Sequence, residues 1–186
     1  MFQTTLYSKT ERSSKLMSHR FSDDIPRLAA RLFFTAALLF SLPAPAAPRV
    51  ATSDWTVAET LTAMGHPPVS VADRRVYDTW VNHPPLPAAV KEAGLRFQPN
   101  LERLYQIKPD FFVQSSWYAA AKSQFEKIAP VREVDFGTAK GIEYAHTVEA
   151  TRRLGKIIGD PAAAEKLIAG TENLFARAKP ALSAYR

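Results

Sequence analysis

Short apolar runs alternate with helix-forming segments through most of the chain, and this alternation constrains the fold more than any other feature. Four runs, at residues 49–53, 69–72, 110–114 and 131–136, are strand-length and centred on apolar or β-branched side chains. Segments with apolar residues at helical spacing follow these runs. This alternation predicts an α/β fold with a parallel, Rossmann-like sheet. In such sheets ligands bind at the carboxyl ends of the strands. Residues 115–118 are expected to form a loop at one of these ends.

Capping signals indicate where two of the helices begin and end. Asp54 can accept hydrogen bonds from the first turn of a helix over residues 55–64, and Gly65 suits the left-handed position after its last turn. Near the C-terminus, Asp160 is followed by Pro161 at the first helical position. These signals predict a long helix that starts there and runs to the end of the chain.

An apolar segment near the N-terminus has the features of a secretory signal peptide. Residues 32–42 are apolar, Arg27 and Arg31 precede them, and small residues lead to a cleavage position after Ala46. The run is shorter than the roughly 20 apolar residues that cross a bilayer, although a membrane anchor and a buried core helix remain alternatives. We therefore expect residues 1–46 to be a leader for general (Sec) secretion, and the remainder to be periplasmic.

Charge and cysteine content exclude several classes of protein. The net charge is +6, but six of the 24 basic residues and three of the 18 acidic ones precede residue 47, so the remainder carries only +3. No cluster of lysine and arginine is left to follow a phosphate backbone, and we expect no nucleic-acid binding. The chain has no cysteine, which excludes disulfides, thiolate metal sites, a cysteine nucleophile and a lipid-anchored N-terminus. Met17 is an alternative start that leaves a leader of ordinary length.

Catalytic and metal-binding motifs are not found in the sequence. It contains no GxSxG elbow, no glycine-rich phosphate loop and no HExxH motif. His66, His83 and His146 are far apart, whereas a zinc site needs three or four convergent ligands. We therefore expect neither an enzyme nor a resident metal or cofactor.

Several motifs in the central part of the chain are shared with one family. They are WVNHPPLP at residues 80–87, GLRFQPNLE at residues 94–102, Lys-Pro at residues 108–109 and Ile-Ala-Pro at residues 128–130. In this combination the chain resembles the periplasmic ferric-hydroxamate (ferrichrome-type) siderophore binding proteins of ABC iron-uptake systems. The resemblance implies a bilobal, helical-backbone (class III) periplasmic binding protein, in which one long helix joins two α/β lobes.

The resemblance also implies roles for individual residues. Arg96 matches an arginine that hydrogen-bonds the iron-coordinating hydroxamate oxygens, and Tyr118 matches a tyrosine that binds the same oxygens. Trp80 and Trp55 match aromatic residues that line the pocket. The family's tryptophan on the strand before the tyrosine is replaced by Gln114, a change that suggests a siderophore of different shape.

Three further expectations rest on the same resemblance. Trp117, next to Tyr118, is a candidate to compensate for the tryptophan replaced by Gln114. Glu126 and Glu102 are candidate contacts to the inner-membrane ABC permease, which would be the only link to the membrane. The domain layout implied is a ligand-binding lobe at residues 47–160 and the start of the interdomain helix at residues 161–186. The C-terminal lobe would be absent, because the chain is expected to be truncated after its first lobe.

The expected function is therefore to bind Fe(III)-hydroxamate siderophores in the periplasm for delivery to a permease. Two alternatives remain open on the same scaffold. The first is a carrier for another metal chelate, such as cobalamin or haem. The second is a truncated copy without function. An α/β enzyme is a third class, disfavoured by the missing motifs.

Overall fold

The computed structural model describes residues 46–182. The predicted apolar run at residues 32–42 lies outside the described residues, as does almost all of the leader. Within the described part, no helix combines the length and the hydropathy needed to cross a membrane.

A parallel five-stranded sheet forms the centre of the fold, with strand order β3-β2-β1-β4-β5. Every pairing within it is parallel, including Ala51 opposite Ser70 and Ala51 opposite Phe112 on the two sides of β1. The strands are β1 (Val50–Thr52), β2 (Ser70–Val71), β3 (Lys91–Glu92), β4 (Phe111–Gln114) and β5 (Val131–Glu133). The predicted α/β class with a parallel sheet is what the chain adopts.

Helices and one 3₁₀ segment connect and cover the strands. The helices are α1 (Trp55–Ala63), α2 (Arg74–Trp80), α3 (Leu101–Ile107), α4 (Lys122–Phe125), α5 (Tyr144–Ile158) and α6 (Pro161–Leu182). The 3₁₀ segment spans Ser116–Ala121, directly after β4. The long C-terminal helix therefore begins at the predicted proline.

Alternation along β4 divides the core between the two faces of the sheet. Phe112 packs with Leu104 and Phe125 on the face covered by α3 and α4, and the Phe112 and Phe125 rings lie 4.8 Å apart. Val113 points the other way, into a cluster with Leu154 and residues of α1 and α6. This is the two-residue periodicity of a strand buried on both sides.

Helices α5 and α6 approach each other closely at a glycine. A Cβ atom added to Gly155 would lie only 2.6 Å from the Cβ of Ala164. Between them, Gly159 ends α5 with a positive φ of 80°, a conformation that glycine adopts at little cost. Asp160 then caps α6, because its Oδ1 accepts a hydrogen bond of 2.9 Å from the backbone N–H of Ala163.

Three parts of the structure differ from the sequence-based expectation. Strand β3 was not predicted, because it has only two residues and both, Lys91 and Glu92, are charged. Residues 115–118 were expected to form a loop, but all except Ser115 belong to the 3₁₀ segment. Strand β5 also ends at Glu133, before the predicted end at residue 136.

Candidate functional site

A cleft of about 550 Å³ opens beyond the carboxyl ends of β1 and β4. Its lining comes from four regions, namely the start of α1, the end of α2, the loop between β3 and α3 that carries Arg96, and the segment after β4. The lining residues are Asp54, Trp55, Thr56, Glu59, Trp80, Val81, Arg96, Phe97, Ser115, Trp117 and Tyr118. This is the edge where α/β sheets bind ligands.

The base of the cleft is organised by Asp54, which is almost completely buried. Its Oδ1 caps α1 by accepting hydrogen bonds from the backbone N–H groups of Thr56 (2.9 Å) and Val57 (3.4 Å). Its Oδ2 accepts a hydrogen bond from the Ser115 hydroxyl. One carboxylate therefore ties the start of α1 to the segment that carries Tyr118.

A second buried contact joins the same two strands beside Asp54. Gln114 is only 2% exposed, and its Oε1 accepts a hydrogen bond of 2.9 Å from the backbone N–H of Ser53. The Thr52 hydroxyl lies 3.4 Å from the same oxygen. Gln114 is not among the residues that line the cleft. Its side chain links β4 to β1, and the expectation that replacing the family's tryptophan here suits a siderophore of different shape stays a prediction.

Arg96 is fixed on one wall of the cleft by an acid and an indole. Its backbone N–H donates to Asp73 Oδ2 at 3.1 Å, and its Nε lies 3.5 Å from the same oxygen, an ion-pair distance. The guanidinium carbon is 4.0 Å from the centre of the Trp55 ring. This cation–π geometry and the ion pair hold the guanidinium in place before any ligand arrives.

Tyr118 also lines the cleft, and its ring stacks on Phe97 at 5.4 Å between ring centres and 22° between planes. Its pKa is raised above the usual value, first by burial and then by the Asp54 carboxylate, and Arg96 partly offsets the shift. The phenol is therefore neutral at physiological pH and can donate a hydrogen bond into the cleft.

The three tryptophans of the chain differ in how they face the cleft. Trp80 and Trp117 are 76% and 82% exposed, values that leave both indoles available to a ligand at the rim. Trp55 is half-buried, since its Nε1 donates to the backbone oxygen of Ala72 at 2.9 Å and its ring meets Tyr77 edge-on at 6.0 Å. Trp55 therefore serves both the core and the cleft.

The structure brings all the predicted ligand-binding residues around this one cleft. The sequence indicated Asp54 only as a helix cap and Ser115 only as part of a loop, and it did not single out Glu59 or Phe97. Phe97 was detectable as the aromatic neighbour of the predicted arginine. Glu59 was detectable by helical spacing, because it lies one turn after Trp55 on α1.

The two acids expected to contact a permease lie away from the cleft. Glu102 is exposed in the first turn of α3, and Glu126 is exposed at the end of α4. Both helices cover the same face of the sheet. In the described part of the chain, no three or more histidine or acidic side chains converge as metal ligands do.

Comparison with known proteins places this cleft in a family. A sequence profile described as "Periplasmic binding protein" matches residues 50–185, which include every residue that lines the cleft. The chain belongs to this periplasmic binding protein family. Membership confirms the expected helical-backbone α/β fold and agrees with the expectation of a binding protein and not an enzyme.

Relatives of this periplasmic binding protein include siderophore carriers. The chain is 35% identical over 132 residues to the iron(3+)-hydroxamate-binding protein FhuD of Escherichia coli, a match covering 71% of this chain and 44% of that protein. The crystal structure of Fe³⁺-Desferal-bound FhuD from Vibrio cholerae matches with a TM-score of 0.68 and 24% identity, over 75% of this chain and 52% of that one. The catecholate-siderophore binding protein VctP of Vibrio cholerae matches with a TM-score of 0.56 and 22% identity, over 75% of this chain and 49% of that one.

The chain thus spans about half the length of the relatives it matches. The matches to the two Vibrio cholerae structures, at 24% and 22% identity, show a shared fold only. The motifs indicated a resemblance to ferric-hydroxamate binding proteins, and the match to E. coli FhuD confirms it.

Proposed function

We propose that this periplasmic binding protein carries the ligand-binding surface of an ABC-transporter component that captures Fe(III)-hydroxamate siderophores. The observation that carries the proposal is the cleft itself. A fixed guanidinium (Arg96) and a neutral phenol (Tyr118) lie among the indoles of Trp55, Trp80 and Trp117.

The chemistry of the cleft matches the surface of a ferric hydroxamate. Such a chelate presents oxygen atoms of partial negative charge on an organic shell, and the siderophore alone coordinates the iron. Arg96 supplies charge-assisted hydrogen bonds to these oxygens, and Tyr118 supplies a further donor. Exposed indoles cover the apolar part of the ligand at small entropic cost. The protein needs no resident cofactor for this task.

The charge of the cleft favours this ligand class over anionic chelates. Arg96 already has Asp73 as its counter-ion, and the cleft also contains the carboxylates of Asp54 and Glu59. A ferric tris-hydroxamate is neutral, whereas a ferric tris-catecholate carries three negative charges and would be repelled. The 35% identity to a hydroxamate carrier supports the same choice.

The proposal extends to export, domain layout and delivery. Residues 1–46 are a signal peptide cleaved after Ala46, residues 47–160 are the ligand-binding lobe, and residues 161–186 begin the interdomain helix. Delivery to an inner-membrane permease uses Glu102 and Glu126. Support comes from their exposure on helices that pack on one face of the sheet, away from the cleft.

Quenching of tryptophan fluorescence on titration with ferrichrome or ferric Desferal tests the proposal, because Trp80 and Trp117 lie at the rim. With the cleft open on one side, we expect a Kd weaker than about 1 μM. Arg96→Ala should weaken binding at least about tenfold, or about 1.4 kcal/mol. The matched control is Arg153→Ala, which removes an exposed arginine of α5.

The comparison between these variants decides the assignment. Unchanged affinity in Arg96→Ala, measured by calorimetry, would reject Arg96 as a ligand contact. Cobalamin or haem binding in place of both hydroxamates would reject the ligand class. An equal loss in Arg153→Ala would show that the effect is one of overall charge.

A further inference from the structure

The charged groups of the cleft are paired within the protein with one exception. The Arg96 guanidinium has Asp73 at 3.5 Å. The Asp54 carboxylate uses one oxygen to cap α1 and the other to accept from Ser115. Glu59 also lines the cleft, yet it has no hydrogen-bond or ion-pair partner among residues 46–182. The cleft therefore offers one carboxylate whose bonding capacity is unused.

The position of Glu59 makes this carboxylate accessible from the ligand side. It lies one helical turn after Trp55, whose ring supports Arg96. Glu59 and Thr56 also line a neighbouring groove of about 310 Å³ between α1, α5 and α6. A ligand held at Arg96 and Tyr118 can thus extend a flexible arm past Glu59 toward that groove.

The surroundings of Glu59 show a carboxylate whose desolvation is only partly compensated. Burial raises the pKa of Glu59, and His83 on the exposed loop after α2 offsets part of this shift. The pKa of the neighbouring Tyr77 is raised to about 12 by burial, by the Glu59 charge and by Asp78. A half-buried carboxylate of this kind gains when a cation approaches it.

We infer that Glu59 is a specificity-determining residue that selects ferric hydroxamates bearing an ammonium group. This inference rests on the proposed function, because it assigns a role within the same cleft. Arg96 and Tyr118 hold the iron-coordinating oxygens, and the Glu59 carboxylate accepts hydrogen bonds from a primary ammonium on the ligand's arm. The pair is partly shielded from water, so it contributes more than an exposed ion pair.

Two ligands that differ only in this charge test the inference. Ferric Desferal ends in a primary ammonium, and N-acetylation of that amine removes the charge while leaving the three hydroxamates intact. We expect the protein to bind ferric Desferal about fivefold to tenfold more tightly than its acetylated form. In Glu59→Gln the preference should fall to less than about twofold, through weaker binding of the charged ligand only.

Controls separate this inference from the proposed function. Glu172→Gln, which neutralises an exposed acid of α6, should retain the preference. Raising the salt concentration should reduce the preference in the unaltered protein. Equal affinity for both ligands, or an equal loss for both in Glu59→Gln, would overturn the role of Glu59 while leaving siderophore capture intact. Binding of neither ligand by the unaltered protein would instead reject the proposed function.

Discussion

Asp54 joins two walls of the cleft, and its removal should therefore destabilise the fold and the site together. In Asp54→Ala, α1 loses the side-chain acceptor for the backbone N–H groups of Thr56 and Val57. Loss of such a cap costs about 1 kcal/mol. Ser115, 6% exposed, loses the acceptor for its hydroxyl, and leaving a buried donor unpaired costs about 1–3 kcal/mol. We expect the free energy of unfolding to fall by about 3 kcal/mol in total.

Three further variants separate these contributions. Asp54→Asn keeps an oxygen for the cap and offers its amide N–H to the Ser115 hydroxyl, so we expect a loss of about 1 kcal/mol. Ser115→Ala removes the donor that Asp54→Ala leaves unpaired. The double variant Asp54→Ala/Ser115→Ala should therefore be more stable than the sum of the two single changes predicts.

Urea unfolding followed by circular dichroism measures the stability of the four variants and of the unaltered protein. An unchanged slope with denaturant shows that a shift of the midpoint reports a change in stability. A loss below about 1 kcal/mol in Asp54→Ala, or strict additivity in the double variant, would refute the reasoning. The first result would mean that water replaces the carboxylate. The second would mean that Ser115 and Asp54 act independently.

Two predictions concern protonation. In an absorbance titration of the phenols, Tyr118 should ionise at a higher pH than an exposed tyrosine, whose pKa is about 10. Asp54→Asn should reduce this difference, because the Asp54 charge contributes to the raised pKa of Tyr118. No change in the pKa of Tyr118 would contradict that contribution. The pKa of Asp160 is lowered, first by the backbone N–H of Ala163 and then by its hydrogen bond to His66. Its contribution to stability is therefore present above about pH 4 and is lost as the pH falls through the lowered pKa. The melting-temperature difference between the unaltered protein and Asp160→Asn should shrink in acid. A constant difference would contradict this, and Asp78→Asn, an exposed acid on α2, is the control.

The parts of the fold that the sequence predicted are those where burial and capping act locally. The apolar run at Phe111–Gln114 is a strand because both of its faces are covered, and Asp54 begins a helix because its own carboxylate satisfies the first turn. Strand β3 depends instead on its neighbour. Its two charged residues form a strand only because β2 offers an edge with unpaired backbone groups.

The candidate site likewise has residues that the sequence indicated and residues whose surroundings it did not. The resemblance named Arg96 and Tyr118, and the structure brings both to one cleft; their contact with a ligand stays a prediction. The environment of Glu59 was not predictable, because helical spacing gives its side of α1 but not which distant loops approach that side. The contacts of Gln114 were also not predictable. The resemblance identified only a replaced tryptophan, whereas the amide hydrogen-bonds a neighbouring strand and becomes part of the core.

The close approach of Gly155 and Ala164 fixes the angle at which the first turns of α6 pack against α5, and this angle sets the direction of the whole helix. From Ala164 to Leu182 the helix extends about 27 Å, at about 1.5 Å per residue. A tilt of about 5° at this contact would therefore move the far end by about 2 Å. A methyl group at position 155 cannot fit without such a tilt or a separation of the two helices. The absence of a side chain at position 155 therefore determines the position of the C-terminal end of α6 to within a few ångströms.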